Sequence, residues 1–113
     1  MKNYLLFRYF AAVFGIAVLF HIGGMFCHFN GCPWWRHLIF VGVDLFIVYG
    51  ILKRPQYFIY IFMVFLMQQY YSHGSALVHL WKVQQRVDWI SLLVIVYLPI
   101  VLAFLIVDMA KKN

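Results

Sequence analysis

HLIFVGVDLFIVYGIL, residues 37–52, is a run of aliphatic and aromatic side chains that opens on a histidine and carries one carboxylate, Asp44. Its apolar residues sit at neighbouring positions with no period-two alternation, which argues against a half-buried strand and for a helix buried on every side. A carboxylate at the centre of a bilayer costs roughly 2.5–3.5 kcal/mol even on a lenient insertion scale. Asp44 must therefore face other helices and find a partner there, or stay protonated. The stretch predicts a membrane-crossing helix with one privileged polar face.

The chain around it follows the same pattern. Apolar segments cover about 9–26, 35–52, 56–72 and 89–108, with the second including Trp35 to reach a spanning length. The expected fold class is all-α: a polytopic membrane protein whose four transmembrane helices form an up-down bundle, a single domain over residues 1–113. The first run is longer than a signal-peptide core and no A-x-A-like site follows it, so it reads as a retained span. Pro55 in LKRPQY pre-sets a helix start after a tight turn, and Pro99 interrupts the last span.

Composition agrees. The 113 residues are 66% hydrophobic and 11% charged, and the mean hydropathy is +0.89. A soluble domain of this size has no core large enough to hide that much apolar surface. The net charge of +6 is spread in ones and twos at the ends of apolar runs rather than gathered in a patch. That placement fits membrane flanks and gives no footprint for nucleic acid. Lys2, Arg8, Lys53, Arg54, Lys111 and Lys112 fall on one side, against Arg36, Lys82 and Arg86 on the other. The imbalance predicts cytoplasmic N- and C-termini in a bacterial-type inner or plasma membrane. Trp34, Trp35, Trp81 and Trp89 then form an outer aromatic belt, and residues 73–88 are expected to be part helix and part re-entrant.

This topology gathers all five histidines in the outer half. His21 and His28 share a helix face, as do His37 and Asp44, each pair seven residues apart. Gln68, Ser72, Ser75 and His79 form one polar stripe on the third helix, with Gln69 and His73 beside it. Depth matching pairs Asp44 with His21, the carboxylate orienting the imidazole; the plainer reading is a polar clamp between helices. Asp88 is expected to begin the last helix, and Asp108 to sit beside Lys111 and Lys112.

CHFNGCPWWRH, residues 27–37, admits three readings. Cys27 and Cys32 in an oxidising compartment read as a disulfide closing a small turn. Cys27, His28, Cys32 and His37, joined by His21, His73 or His79, are donor types for zinc or copper, with haem on two histidines as a variant. Thiol–disulfide exchange with a membrane quinone is the third, although the chain lacks C-x-x-C and a second relay pair. No G-x-S-x-G, H-E-x-x-H or phosphate-cradling glycine loop is present, so an enzyme is not expected. The functional expectation is a small membrane protein binding a transition-metal ion or haem at a histidine- and cysteine-rich site near its outer face, for ion handling or transport. Its partners are the lipid bilayer and either a membrane protein or a second copy. The alternatives are an accessory subunit of a larger membrane complex and the quinone-linked oxidoreductase.

Overall fold

The structure is a computed structural model that describes residues 2–27 and 33–112. Its helices are α1 (Lys2–Cys27), α2 (Trp34–Lys53), α3 (Phe58–Gln84) and α4 (Trp89–Lys112). Three of them, α1, α2 and α4, are long and apolar enough to cross a membrane. The longest helix, α3, is not one of these: its apolar run ends near Met67, and Gln68, Gln69, Ser72 and His73 follow. An apolar stretch that short falls below the roughly 20 residues a span needs.

Two boundaries differ from the sequence reading. α1 begins at Lys2, because Lys2, Leu5, Leu6 and Arg8 favour helix and no proline or glycine precedes Tyr9 to stop it. α3 continues as one unbroken helix to Gln84. Its polar second half is still helix-forming sequence, and Gly74 has open space around it rather than a turn. The helix stops at Gln85, which takes a left-handed conformation and returns its N–H to the Trp81 carbonyl at 3.0 Å.

The chain divides into two compact units, Met1–Arg54 and Pro55–Asn113. In the first, α1 and α2 pack antiparallel: His21 meets His37 near the connection, while Arg54 lies over the Phe7 ring at 4.4 Å at the far end. Phe7, Phe10, Ala11, Phe14 and Val18 make the buried stripe of α1 at helical spacing. On α2 the buried positions are His37, Asp44, Ile47, Gly50 and Ile51. Arg54 ends α2 in the left-handed region (φ 49°), with its N–H on the Gly50 carbonyl and its guanidinium donating to the Ile51 carbonyl at 3.2 Å. Those bonds answer carbonyls that a helix end leaves open and offset the strain of a positive φ.

The second unit is also an antiparallel hairpin, tied by polar contacts. α4 runs through Pro99, which has no N–H to give to the Ile95 carbonyl four residues back. The Tyr70 hydroxyl of α3 donates to that same carbonyl at 3.0 Å. One helix thus repairs the hydrogen bond that proline removes from its neighbour, which a water-free environment requires. Nearer the connection, Asp88 caps α4: its Oδ1 accepts from the Ser91 N–H at 3.2 Å and its Oδ2 from the Ser91 hydroxyl at 2.8 Å.

Many large apolar side chains remain outside either core, among them Leu5, Ile16, Leu19, Phe26, Tyr71, Trp89 and Leu93. In water such a surface drives aggregation; against lipid it is the ordinary exterior.

Tyr70→Phe is expected to destabilise the second hairpin by about 1 kcal/mol, the usual net worth of one hydrogen bond. In a Pro99→Ala background, where residue 99 regains its N–H, the same change should cost less than half as much. Unfolding of the four proteins in mixed micelles measures the coupling; equal costs in both backgrounds would show that the hydroxyl does not serve the proline gap.

Candidate functional site

The site is built from three side chains of the first hairpin. His21 lies six residues before the end of α1, His37 in the first turn of α2, and Asp44 two turns further along the same face of α2. His21 Nδ1 is 3.0 Å from His37 Nδ1, and His21 Nε2 is 3.6 Å from Asp44 Oδ2. His37 and Asp44 are each only 4% exposed. The first contact is a hydrogen bond. The second is at ion-pair distance but too long for a hydrogen bond, and Asp44 Oδ2 makes no other among the described residues.

Aromatic rings hold His21 in place. Phe40 stacks on it at 5.2 Å with planes 16° apart, and Phe20 meets it edge-on at 5.4 Å. His37 lies directly against the backbone of Gly24. A Cβ at that position would fall 2.6 Å from His37 Cε1 and 2.8 Å from both ring nitrogens. Only glycine lets the two helices approach this closely with the imidazole between them.

The Nδ1–Nδ1 contact limits the protonation states. One nitrogen must donate and the other must present a lone pair. If His37 donates, the proton of a neutral His21 sits on Nε2, facing Asp44. If His21 donates from Nδ1, its Nε2 presents a lone pair to a protonated Asp44. Both arrangements are chemically complete, and they differ by the position of two protons.

The other expected site residues are arranged differently. His28 and Cys32 lie outside the described residues, so the expected Cys27–Cys32 bridge and the loop ligand set lie outside them as well. Cys27 is exposed at the end of α1 and forms no disulfide among the described residues. Gln69 is buried and donates to the exposed Gln68 at 2.6 Å, and Ser72 is half-buried. His79 is exposed, along an open surface of α3 with Gly74, Ser75, Val78 and Lys82. Among the described residues no three His, Cys, Asp or Glu side chains come together as a metal shell.

His73 joins α3 to α4. With the Ser91 hydroxyl proton committed to Asp88, Ser91 Oγ accepts from His73 Nδ1–H at 2.9 Å. The order carboxylate–hydroxyl–imidazole leaves the serine as a middle link, so these residues act as a helix cap and a tie rather than as a nucleophile. His73 lies beyond the apolar run of α3; burial lowers its pKa, against the opposing pull of Asp88. Asp108 accepts from Lys112 at 3.2 Å one turn on, a surface pair of little energetic weight.

Sequence reasoning matched His21 and Asp44 by depth and saw that His37 and Asp44 share a face. It did not place His37 on His21, because the relative offset of two helices is not a local property. Ser91 and Tyr70 were overlooked. The signal for Tyr70 was available: a tyrosine at about the depth of the carbonyl that Pro99 leaves open.

The fold and site together define an all-helical, membrane-associated protein with a buried carboxylate–imidazole chain. No family model, no curated protein and no solved structure matches it.

Because the folded-state pKa of His73 lies below its ordinary 6.5, the unfolded chain binds the proton more readily. Hairpin stability is therefore fully present above that value and falls as the pH drops through it. His73→Gln, which retains a donor for Ser91, should flatten this dependence. A melting temperature in mixed micelles that responds to pH identically in both proteins would rule the effect out.

Proposed function

We propose that the chain is a small, non-catalytic integral membrane protein that takes up a cation in its first hairpin, at Asp44, His21 and His37. The observation that carries this is the buried Asp44 carboxylate, joined through His21 to His37 inside apolar helices. Helix packing alone is served as well by apolar residues, whereas an intramembrane carboxylate next to imidazoles is the usual equipment of proton and ion pathways. The cation proposed is the proton, which each imidazole and the carboxylate can bind singly. Zinc or copper ordinarily takes three or four donors that converge on one point, whereas His21 turns Nδ1 to His37 and Nε2 to Asp44, so these three side chains do not converge. Haem between two axial histidines needs their nitrogens on opposite sides of the ring, and at 3.0 Å His21 and His37 leave no room for one between them.

The proposed arrangement in the membrane has four crossings, with α3 included and both termini cytoplasmic. Two antiparallel hairpins each return the chain to the side it came from, and the six-to-three division of lysine and arginine supports that orientation. The short apolar run of α3 would be accommodated by packing against other helices or by local thinning of the bilayer.

An acid jump on unbuffered proteoliposomes tests the reading. Wild-type protein should take up about one proton per chain more than an Asp44→Asn, His21→Gln, His37→Gln triple variant, as expected of one titrating cluster. Equal uptake would overturn it. Saturable binding of zinc or copper by the wild type, lost in the triple variant, with no difference in proton uptake, would replace the proton by a metal ion.

A further inference from the structure

We infer that Asp44, His21 and His37 form a two-step proton relay along the first hairpin, with Gly24 as its positioning residue. This rests on the cation-uptake reading above and specifies how the proton reaches the interior.

The steps balance as follows. At the start Asp44 is ionised, His21 is neutral with its proton on Nε2, and His37 carries protons on both nitrogens. The His37 Nδ1–H bond breaks and that proton joins His21 Nδ1 across the 3.0 Å contact. The His21 Nε2–H bond breaks and its proton joins Asp44 Oδ2. All three groups are then neutral: Asp44 a carboxylic acid, His21 the Nδ1–H tautomer, His37 the Nε2–H tautomer. One proton has left His37, one has arrived at Asp44, and no electrons have moved. His21 begins and ends neutral, so no charge rests in the middle of the chain.

The geometry gives the relay a direction. His37 and Asp44 are seven residues apart on one helix, about 10.5 Å along its axis at 1.5 Å per residue. His37 is in the first turn of α2 beside the connection, and Asp44 is in its apolar middle. The transfer therefore runs from the end of the hairpin into the hydrocarbon region. The Nδ1–Nδ1 step is closed. The step to Asp44, at 3.6 Å, must shorten by about 0.4 Å to enter the hydrogen-bond range, a displacement within ordinary thermal motion. It is the gate of the pair. Phe40 and Phe20 keep the His21 ring aimed at both neighbours.

Other charged groups of the two helices lie elsewhere. Arg36 and Cys27 are exposed at the connection, while Arg8, Lys53 and Arg54 belong to the opposite end. Arg8 donates to the Tyr4 hydroxyl within α1, and among the described residues the three relay members are the titratable side chains that meet across α1 and α2.

Gly24 sets the closed step. A methyl group there displaces the His37 ring, whereas Gly15 and Gly42 have nothing within 4 Å of the same added atom. Gly24→Ala should therefore open the Nδ1–Nδ1 contact without removing any protonatable group, and Gly42→Ala serves as its control.

Stopped-flow acid jumps on proteoliposomes separate rate from extent. In Gly24→Ala the rate of proton uptake should fall at least tenfold while its extent stays at the wild-type value; Gly42→Ala should match wild type in both. Unchanged rate and extent in Gly24→Ala would overturn the relay and leave the uptake reading standing. No uptake in the wild type would overturn the uptake reading itself. Should Gly24→Ala fail to fold, nitrogen-15 NMR of histidine-labelled wild type and Asp44→Asn in lipid nanodiscs decides the matter. A relay requires Asp44→Asn to shift the tautomer of His37 as well as that of His21; a change confined to His21 refutes it.

Discussion

A polar group shut away from water must find its partner within the protein, and this constraint organises both hairpins. Asp44 is the severest case, a carboxylate 4% exposed in the middle of α2. His21 of α1 stands 3.6 Å away at ion-pair distance, and His37 continues the chain to the end of the helix. The second hairpin meets the same demand with weaker groups. Tyr70 answers the carbonyl that Pro99 orphans, and Ser91 links His73 to the cap of α4. Leucine and phenylalanine side chains pack equally well against lipid and against each other, so these polar contacts hold the helices in register.

The same contacts distinguish a tie from a site. In His73–Ser91–Asp88 every proton has one place to be, because the hydroxyl is committed to the carboxylate and the backbone cap fixes the carboxylate in turn. In Asp44–His21–His37 the protons have two complete arrangements. An imidazole presents a donor at one nitrogen and an acceptor at the other, and can exchange them. A serine hydroxyl flanked by a capping carboxylate has no such freedom. That difference, more than burial or proximity, is why the first hairpin carries the functional proposal and the second does not.

Much of the architecture was legible because it depends on composition and local pattern. Hydropathy marked α1, α2 and α4, proline and arginine marked the turn at residues 53–55, and Asp88 announced the start of α4. The extent of α3 was misread because its polar second half resembles a connection in hydropathy, although nothing in it breaks a helix. In the site, the depth of His21 and Asp44 could be counted along the chain. The meeting of His21 with His37 could not, since it depends on how far one helix slides against another.

By itself the sequence determined that this chain forms long apolar helices and that Asp44 must be sheltered, since these follow from side-chain chemistry and 3.6-residue periodicity. Only the tertiary structure decided which side chain would occupy the space beside Gly24. Close packing brought His37 into it and placed its Nδ1 against His21, turning separate polar residues into a connected chain. Contacts between helices are set by the fit of whole surfaces, and no residue's own neighbourhood in sequence contains that information.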